Sequence, residues 1–461
     1  MRGQVIIWLA LVGAALALAA CAPTDAGDTG FKPQTTTNSD FTLPAVEFPV
    51  GNFPVSMAVA DYDVDTRVDI AVMHMLDAAN TIHANIVLYT QTAPLVFSET
   101  PFDLGSNPGQ VGFANLDGNA TLDLWAIINS DKDPELWFCL NPPACTGERI
   151  ILAGNPKQVR IADLDGLGGA DDLVMTITGT DEIHAFMGPL AAGATPVITQ
   201  TVEADGITVI NGPGSFALGD FNGDTKPDIA VSHLLSKIVS VWLGDGSGGF
   251  TRPATFKYTL DYTPADIAVG NFTADADLDI VLSASGATGA DSDEQGRVVL
   301  LTGVGGGTGT FAEPAINITV GKEPRNIIVG DFDTDAFTMD EFFLLHSQHS
   351  SVSFINQPAI TPPLLEGTGI AVTDKPFAAV TGTLASGAAG LDLAVLESEK
   401  RAISILDGDG AGGFTRTVIG LEHSTRFPVV ADLDGTGLND LIVMQPTEDR
   451  LLFLLNPGLV P

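Results

Sequence analysis

Ala217-Leu218-Gly219-Asp220-Phe221-Asn222-Gly223-Asp224-Thr225-Lys226-Pro227-Asp228-Ile229-Ala230-Val231 is the stretch whose reading decides the fold. Its two ends are apolar and strand-like. Its middle puts oxygen-bearing side chains at alternate positions of a tight turn. The phrase recurs eight times, the other copies beginning at Asp61, Asn115, Asp163, Asn271, Asp331, Thr381 and Asp432. The period is roughly 48–60 residues, which falls among propellers and repeat arrays.

Working outward from Asp220, each unit reads as four short strands. Residues 215–219 lead into the turn, 228–233 leave it as an unbroken apolar run suited to burial on both faces, and 237–243 follow as a third strand. The glycine-rich stretch 244–249 reads as a hairpin loop, and 250–260 as the fourth strand. Four antiparallel strands repeated radially make an all-β propeller. Units of this size cannot bury a core alone, so a shared ring is favoured over separate sandwich modules. The last unit stops after three strands, and residues 41–51 supply one strand with no unit of its own. The expectation is eight four-stranded blades, the ring closed by that N-terminal strand; the degraded copy at Thr381, Thr383 and Ala385 leaves seven blades as the alternative.

The chain has 461 residues, and the repeat from about residue 41 onward leaves no room for a second domain. Twenty Lys and Arg stand against 57 Asp and Glu, a formal net charge of −37. That excludes nucleic acid as a partner and direct attraction to anionic lipid, since both need a basic face. It favours cation binding where the carboxylates crowd into the repeated turns.

Residues 5–20 form an apolar run behind Arg2, too short to span a membrane comfortably. The run ends in Leu18-Ala19-Ala20-Cys21, which resembles the lipobox of bacterial lipoproteins. The resemblance implies cleavage before Cys21 and lipidation of that residue. With Ala22 next, it implies the outer membrane in a Gram-negative cell. The expected organisation is a signal peptide over 1–20, a lipidated Cys and flexible tether over 21–40, and the propeller over 41–461. Cys139 and Cys145 flank Asn141, Pro142 and Pro143, and a local disulfide is expected in an oxidising compartment.

The turns supply candidate metal ligands at positions 1, 3, 5 and 9. The strongest sets are Asp61, Asp63, Asp65 and Asp69; Asn115, Asp117, Asn119 and Asp123; and Asp220, Asn222, Asp224 and Asp228. Weaker sets are Asn271, Thr273, Asp275 and Asp279; Asp163 and Asp165 followed by Asp171 and Asp172; Asp331, Asp333, Asp335 and Asp340; and Asp432, Asp434 and Asp440. Leu167 and Thr436 replace a middle ligand in the third and eighth turns, and the seventh turn is expected to bind nothing. All-oxygen donor sets suit several Ca2+ ions better than magnesium, zinc or copper. These turns, with the glycine-rich phrases at 243–250, 301–311 and 406–414, resemble the FG-GAP/VCBS repeats found also in the integrin α-chain propeller. The resemblance implies a calcium-stabilised propeller that binds other molecules. Thr66, Ala120, Thr225, Ala276 and Ala336 stand where that family favours glycine.

No zinc-protease, nucleophile-elbow or phosphate-loop motif occurs. The close pair His346 and His349 is expected in a solvated loop after the second strand of the sixth blade. The expected function is therefore a lipid-anchored binding, adhesion or assembly module of the bacterial envelope, not an enzyme. Its ligand would be a protein or glycan, met by the loops between second and third strands at 75–84, 129–135 and 283–296. The alternative is a polysaccharide-acting hydrolase or lyase on the same frame; a third reading is a structural component of the envelope.

Overall fold

The computed structural model describes residues 45–456 apart from 77–81, 106, 130–132, 145–146, 178, 192, 201–212, 254–255, 274, 276, 286–295, 313–314, 334–339, 356–367 and 385–389. The expected signal peptide, Cys21 and the expected tether lie outside the described residues, as do the centres of the loops expected at 75–84, 129–135 and 283–296.

Eight antiparallel sheets form a ring of eight blades, a β-propeller. The first strands are Pro54–Ala60, Pro108–Ala114, Pro156–Ala162, Pro213–Gly219, Thr263–Gly270, Pro324–Gly330, Pro376–Gly382 and Arg426–Ala431. Each blade's second strand starts at an acidic residue: Asp69–Leu76, Asp123–Ile128, Asp172–Ile177, Asp228–His233, Asp279–Ser285, Glu341–His346, Asp392–Glu397 and Asp440–Gln445. These runs are buried along almost their whole length, which is why they lack the polar alternation of a one-sided strand. Blade 4 departs from the expected single outer strand. Its outer edge is split into Phe250–Thr251 and Lys257–Thr259, which pair with opposite ends of Ile238–Gly244.

Seven of the first strands carry a proline facing the end of the second strand: Pro54, Pro108, Pro156, Pro213, Pro264, Pro324 and Pro376. The register shifts immediately after each one. Proline has no N–H for the ladder, and a bulge beside it strengthens the local twist. Side chains two residues past the proline then link neighbouring blades. Ser56 Oγ accepts from Val111 N at 3.2 Å, Gln158 Oε1 from Phe216 N at 2.6 Å, and Asp266 Oδ2 from Ile327 N at 3.1 Å. Apolar clusters fill the space between blades, as where Met73 and Leu88 of blade 1 meet Leu124 and Trp137 of blade 2.

The ring closes as the sequence predicts. Ala45–Pro49 pairs antiparallel with Arg450–Leu454 and completes blade 8. Phe48 stacks on Phe453 of blade 8 at 5.2 Å and meets Tyr89 and Phe97 of blade 1 edge-on at 5.2 and 5.0 Å. Asp449 accepts the amide of Val50 on its backbone oxygen (2.9 Å) and that of Phe53 on its carboxylate (2.7 Å). The closing strand is thus clasped by the last blade and the first together. Phe48→Ala is expected to cost about 3 kcal/mol in urea unfolding. Glu47→Ala, which loses only a half-exposed ion pair with Arg450, should stay within about 1 kcal/mol. Equal effects would contradict this account of closure.

Candidate functional site

The residue that opens each second strand makes the same pair of bonds in blade after blade. One carboxylate oxygen accepts the amide of the turn's second residue; the other accepts an amide at the end of the third strand. Asp123 takes Leu116 N and Asn141 N, both at 2.8 Å; Asp172 takes Leu164 N and Gly188 N, both at 2.7 Å. Asp69 takes Tyr62 N (3.2 Å) and Gln91 N (2.8 Å), and Asp228 takes Phe221 N (2.9 Å) and Gly244 N (2.8 Å). Asp279 takes Phe272 N and Gly303 N, and Asp440 takes Leu433 N and Asn456 N, all at 2.8 Å. In blade 7 Asp392 takes Leu384 N (2.7 Å) and Gly408 N (3.0 Å), and in blade 6 Glu341 takes Phe332 N (2.8 Å). Each of these carboxylates is at most 2% exposed. The turn's second residue, always Tyr, Leu or Phe, sinks into the core between blades.

Three sequence expectations are corrected by this register. The seventh turn starts at Thr383, not Thr381, because Leu384 is its buried second residue and Thr381 still pairs within the first strand. In the sixth turn Glu341, not Asp340, takes the closing position. Asp340 faces the preceding blade, where it accepts Asn271 N at 2.8 Å while its own amide reaches Asn271 O at 2.7 Å. Asp171 does the same in the third turn, accepting Asn115 N at 2.7 Å. The residue before the closing carboxylate links blades at two further corners: Leu122 N reaches Tyr62 O at 3.0 Å, and Asn439 Oδ1 accepts Thr383 N at 3.1 Å.

The turns themselves differ in how their oxygens converge. Among the described residues, carboxylate oxygens lie within 4.8 Å of one another in four groups: Asp61, Asp63 and Asp69; Asp163, Asp165 and Asp172; Asp331, Asp333 and Glu341; and Asp432, Asp434 and Asp440. Blades 1, 3, 6 and 8 therefore carry the groups that could hold a metal ion. Position 1 also shapes the turn, since Asp61, Asp220 and Asp432 accept the amides of the fifth and sixth residues at 2.8–3.0 Å. Asp65 turns away to the Arg67 guanidinium. In the second turn, Asn115 donates to Asn119 O and Gly169 O, and Asp117 accepts from Asn119 and Asn141, so amides and carboxylate satisfy one another. The fourth turn keeps Asp220, Asn222 and Asp224 on backbone amides. In the fifth, Asp275 accepts Asp277 N. Asp335 lies outside the described residues.

The fourth turn position holds Gly118, Gly166, Gly223 and Gly435 at φ of 67–79°, but Val64 in the first turn, at 63°. A β-branched residue in that region is strained, and Val64 is left 58% exposed.

The acidic groups fit a hard cation. All donors are oxygens, and the charges acting on Asp440 from its own turn are those of Asp434 and Asp432, both repulsive. Burial pushes the Asp69 carboxyl up to about 7 and those of Asp228 and Asp279 up to about 6, with backbone N–H bonds pulling the other way.

On the opposite face the structure corrects the reading of His346, which is the buried last residue of its strand and bonds Ser353 Oγ at 2.8 Å. His233 bonds Ser240 Oγ at 2.8 Å and Trp242 donates to the same oxygen at 2.7 Å. Burial lowers His74 to about 4, and His233 and His346 to about 3. His233 and His346 pin second strands to third. The sequence signal of these two was a histidine ending an apolar run seven positions before a serine. Cys139 is disulfide-bonded, and Cys145 lies outside the described residues.

Residues 220–282, from the fourth turn through the opening of blade 5's second strand, match the family model of the FG-GAP-like repeat. Among solved structures, the chain is similar to the exotype rhamnogalacturonan lyase YesX, with a TM-score of 0.57 and 14% identity over 93% of this chain and 76% of that one. A rhamnogalacturonan lyase from Bacillus licheniformis gives 0.54 and 13% over 93% and 75%, and the Dos1 propeller 0.54 and 11% over 90% and 95%. At these identities the likeness is one of fold. Comparison with curated proteins finds no match. The chain is an eight-bladed propeller that carries an FG-GAP-like repeat.

Two outcomes follow for the acidic residues. Asp392→Ala strips two buried amides of their acceptor in a blade with no convergent group among the described residues. It should cost about 2–4 kcal/mol, equally with calcium or chelator. A cost that depends on calcium would contradict the structural role. The second concerns pH. A carboxyl held above its unfolded value contributes stability that is complete below about pH 4 and lost as pH rises through about 7. The buried histidines, lowered in the fold, act in the opposite direction between about 3 and 6.5. The test therefore compares wild type with Asp69→Asn in chelator. Wild type should lose stability relative to the variant from pH 4 to 8; parallel profiles would contradict the shift.

Proposed function

We propose that this protein is an exported, lipid-anchored propeller of the bacterial envelope that binds calcium on one face and a protein or glycan on the other. The observation that carries the reading is the set of four convergent acidic groups in blades 1, 3, 6 and 8. Asp61, Asp63 and Asp69 would hold one ion; Asp163, Asp165 and Asp172 a second; Asp331, Asp333 and Glu341 a third; Asp432, Asp434 and Asp440 a fourth. Calcium there would neutralise like charges and stiffen the turns, a structural contribution rather than a catalytic one. The turns share the face between first and second strands, which leaves the loops between second and third strands free to vary on the other. The family's common use of calcium and the lipobox-like stretch ending at Cys21 support the same reading. The likeness to lyases is one of fold and carries no activity.

The test is metal analysis with thermal unfolding of the purified protein. About four calcium ions per chain are expected. Chelation should lower the midpoint reversibly, and Asp432→Ala should remove about one ion. Absence of bound calcium, with no response to added calcium, would overturn the assignment.

A further inference from the structure

One buried residue joins the acidic turns of blades 1 and 8 across the seam where the ring closes. Gln91 lies in the third strand of blade 1, Ile82–Ala93, and is 1% exposed. Its amide donates to Asp69 Oδ1 at 2.8 Å and its Oε1 accepts Val68 N at 3.2 Å, so it holds the closing carboxylate of blade 1 and the residue before it. Its backbone oxygen accepts Arg67 Nε at 2.8 Å. Its Nε2 crosses to blade 8 and donates to Leu433 O at 2.8 Å. Only one orientation of the carboxamide satisfies both neighbours, since Val68 offers N–H and Leu433 offers C=O. Leu433 sits between Asp432 and Asp434, and its own amide goes to Asp440 Oδ2 at 2.8 Å. Three bonds of 2.8 Å therefore run from Asp440 through Leu433 and Gln91 to Asp69. Both end carboxylates belong to convergent acidic groups.

The link is particular to this seam among the described residues. The matching amide comes from Gly188, Gly244, Gly303 and Gly408 in blades 3, 4, 5 and 7, which have no side chain to reach across. Asn141 of blade 2 spends its carboxamide on Asp117 and Asn119 of its own turn. Asn456 of blade 8 does cross, to Leu384 O at 2.9 Å, but blade 7 has no convergent group among the described residues.

We propose that Gln91 couples the acidic groups of blades 1 and 8, so that calcium binds these two cooperatively while the groups of blades 3 and 6 fill independently. The inference rests on the metal reading above and deepens it. A cation held by Asp432, Asp434 and Asp440 restrains the peptide groups on either side of Leu433. A restrained Leu433 carbonyl fixes the Gln91 carboxamide, and Gln91 in turn presents Asp69 to the first turn already ordered. Part of the ordering that the blade 1 group needs is then complete before its ion arrives. Linkage makes the effect reciprocal, so an ion in blade 1 favours one in blade 8 by the same factor.

The test is terbium luminescence on the full chain, with calcium as the competitor. Tyr62 stands between Asp61 and Asp63, and no other acidic turn has a Tyr or Trp at that place. Emission that Tyr62→Phe abolishes and calcium displaces therefore reads the blade 1 group by itself. Asp432→Ala, which disables blade 8, should weaken calcium at blade 1 at least about fivefold. Asp163→Ala, which disables blade 3, should leave it unchanged. In a Gln91→Met background, Asp432→Ala should no longer weaken blade 1. The contrast between Asp432→Ala and Asp163→Ala leaves Gln91 untouched and decides the matter even if Gln91→Met does not fold. Equal effects of those two variants, or an Asp432→Ala effect that persists beside Gln91→Met, would overturn the coupling and leave calcium binding standing. Absence of calcium-displaceable emission, with no calcium found by metal analysis, would overturn both readings.

Discussion

A buried carboxylate with two backbone amides is the interaction on which the rest of this propeller depends. A blade must turn sharply between its first and second strands, and that turn leaves N–H groups without ladder partners. The third strand must end beside the same corner. One Asp side chain, fixed at the first residue of the second strand, answers both needs. It orients the turn so that Tyr62, Leu116, Phe272 or Leu433 enters the core between blades. Blade packing, and through it ring closure, is built on that corner.

The same carboxylate explains why acidity and architecture are tied together here. Ionised Asp bonds amides strongly but is costly to bury, and burial accordingly raises Asp69, Asp228 and Asp279. Where positions 1 and 3 of the turn are also acidic, the repulsion grows and a hard cation is the natural complement. Where they are not, as around Thr383, the clamp persists alone. Blade 2 shows a third solution, in which Asn115, Asn119 and Asn141 supply amide donors to Asp117 and the turn becomes self-satisfied. One repeat thus supports turns of quite different charge without losing its corner.

Much of this was legible in the chain. The eight-fold phrase and the unmatched strand at residues 41–51 were enough to predict the ring and its closure, because both rest on period and on counting strands. What the sequence did not disclose was which of two neighbouring acids does which task. Asp340 and Glu341, or Asp171 and Asp172, are chemically alike, and only strand register sends one inward and the other to the adjacent blade. The seventh turn was placed two residues early because its threonines, rather than buried Leu384, were used to set the frame. His346 looked like half of a loop pair because its partner, Ser353, is recognisable only once the hairpin is formed. The recurrent proline opposite each second strand's end was visible in every unit but one, and its meaning emerged only from the bulge beside it.

The central claim is that the closing carboxylates, not bound metal, hold each corner. Amide hydrogen exchange in calcium-free protein tests it most directly, read at Tyr62, Leu116, Leu164, Phe221, Phe272, Phe332, Leu384 and Leu433. The account predicts that these amides remain among the slowest to exchange after chelation, while amides at the turn tips such as Gly223 and Gly435 become faster. If Tyr62, Leu164, Phe332 and Leu433 instead lose protection when calcium is removed while Leu116, Phe221, Phe272 and Leu384 keep theirs, the metal holds the corner and the account is wrong.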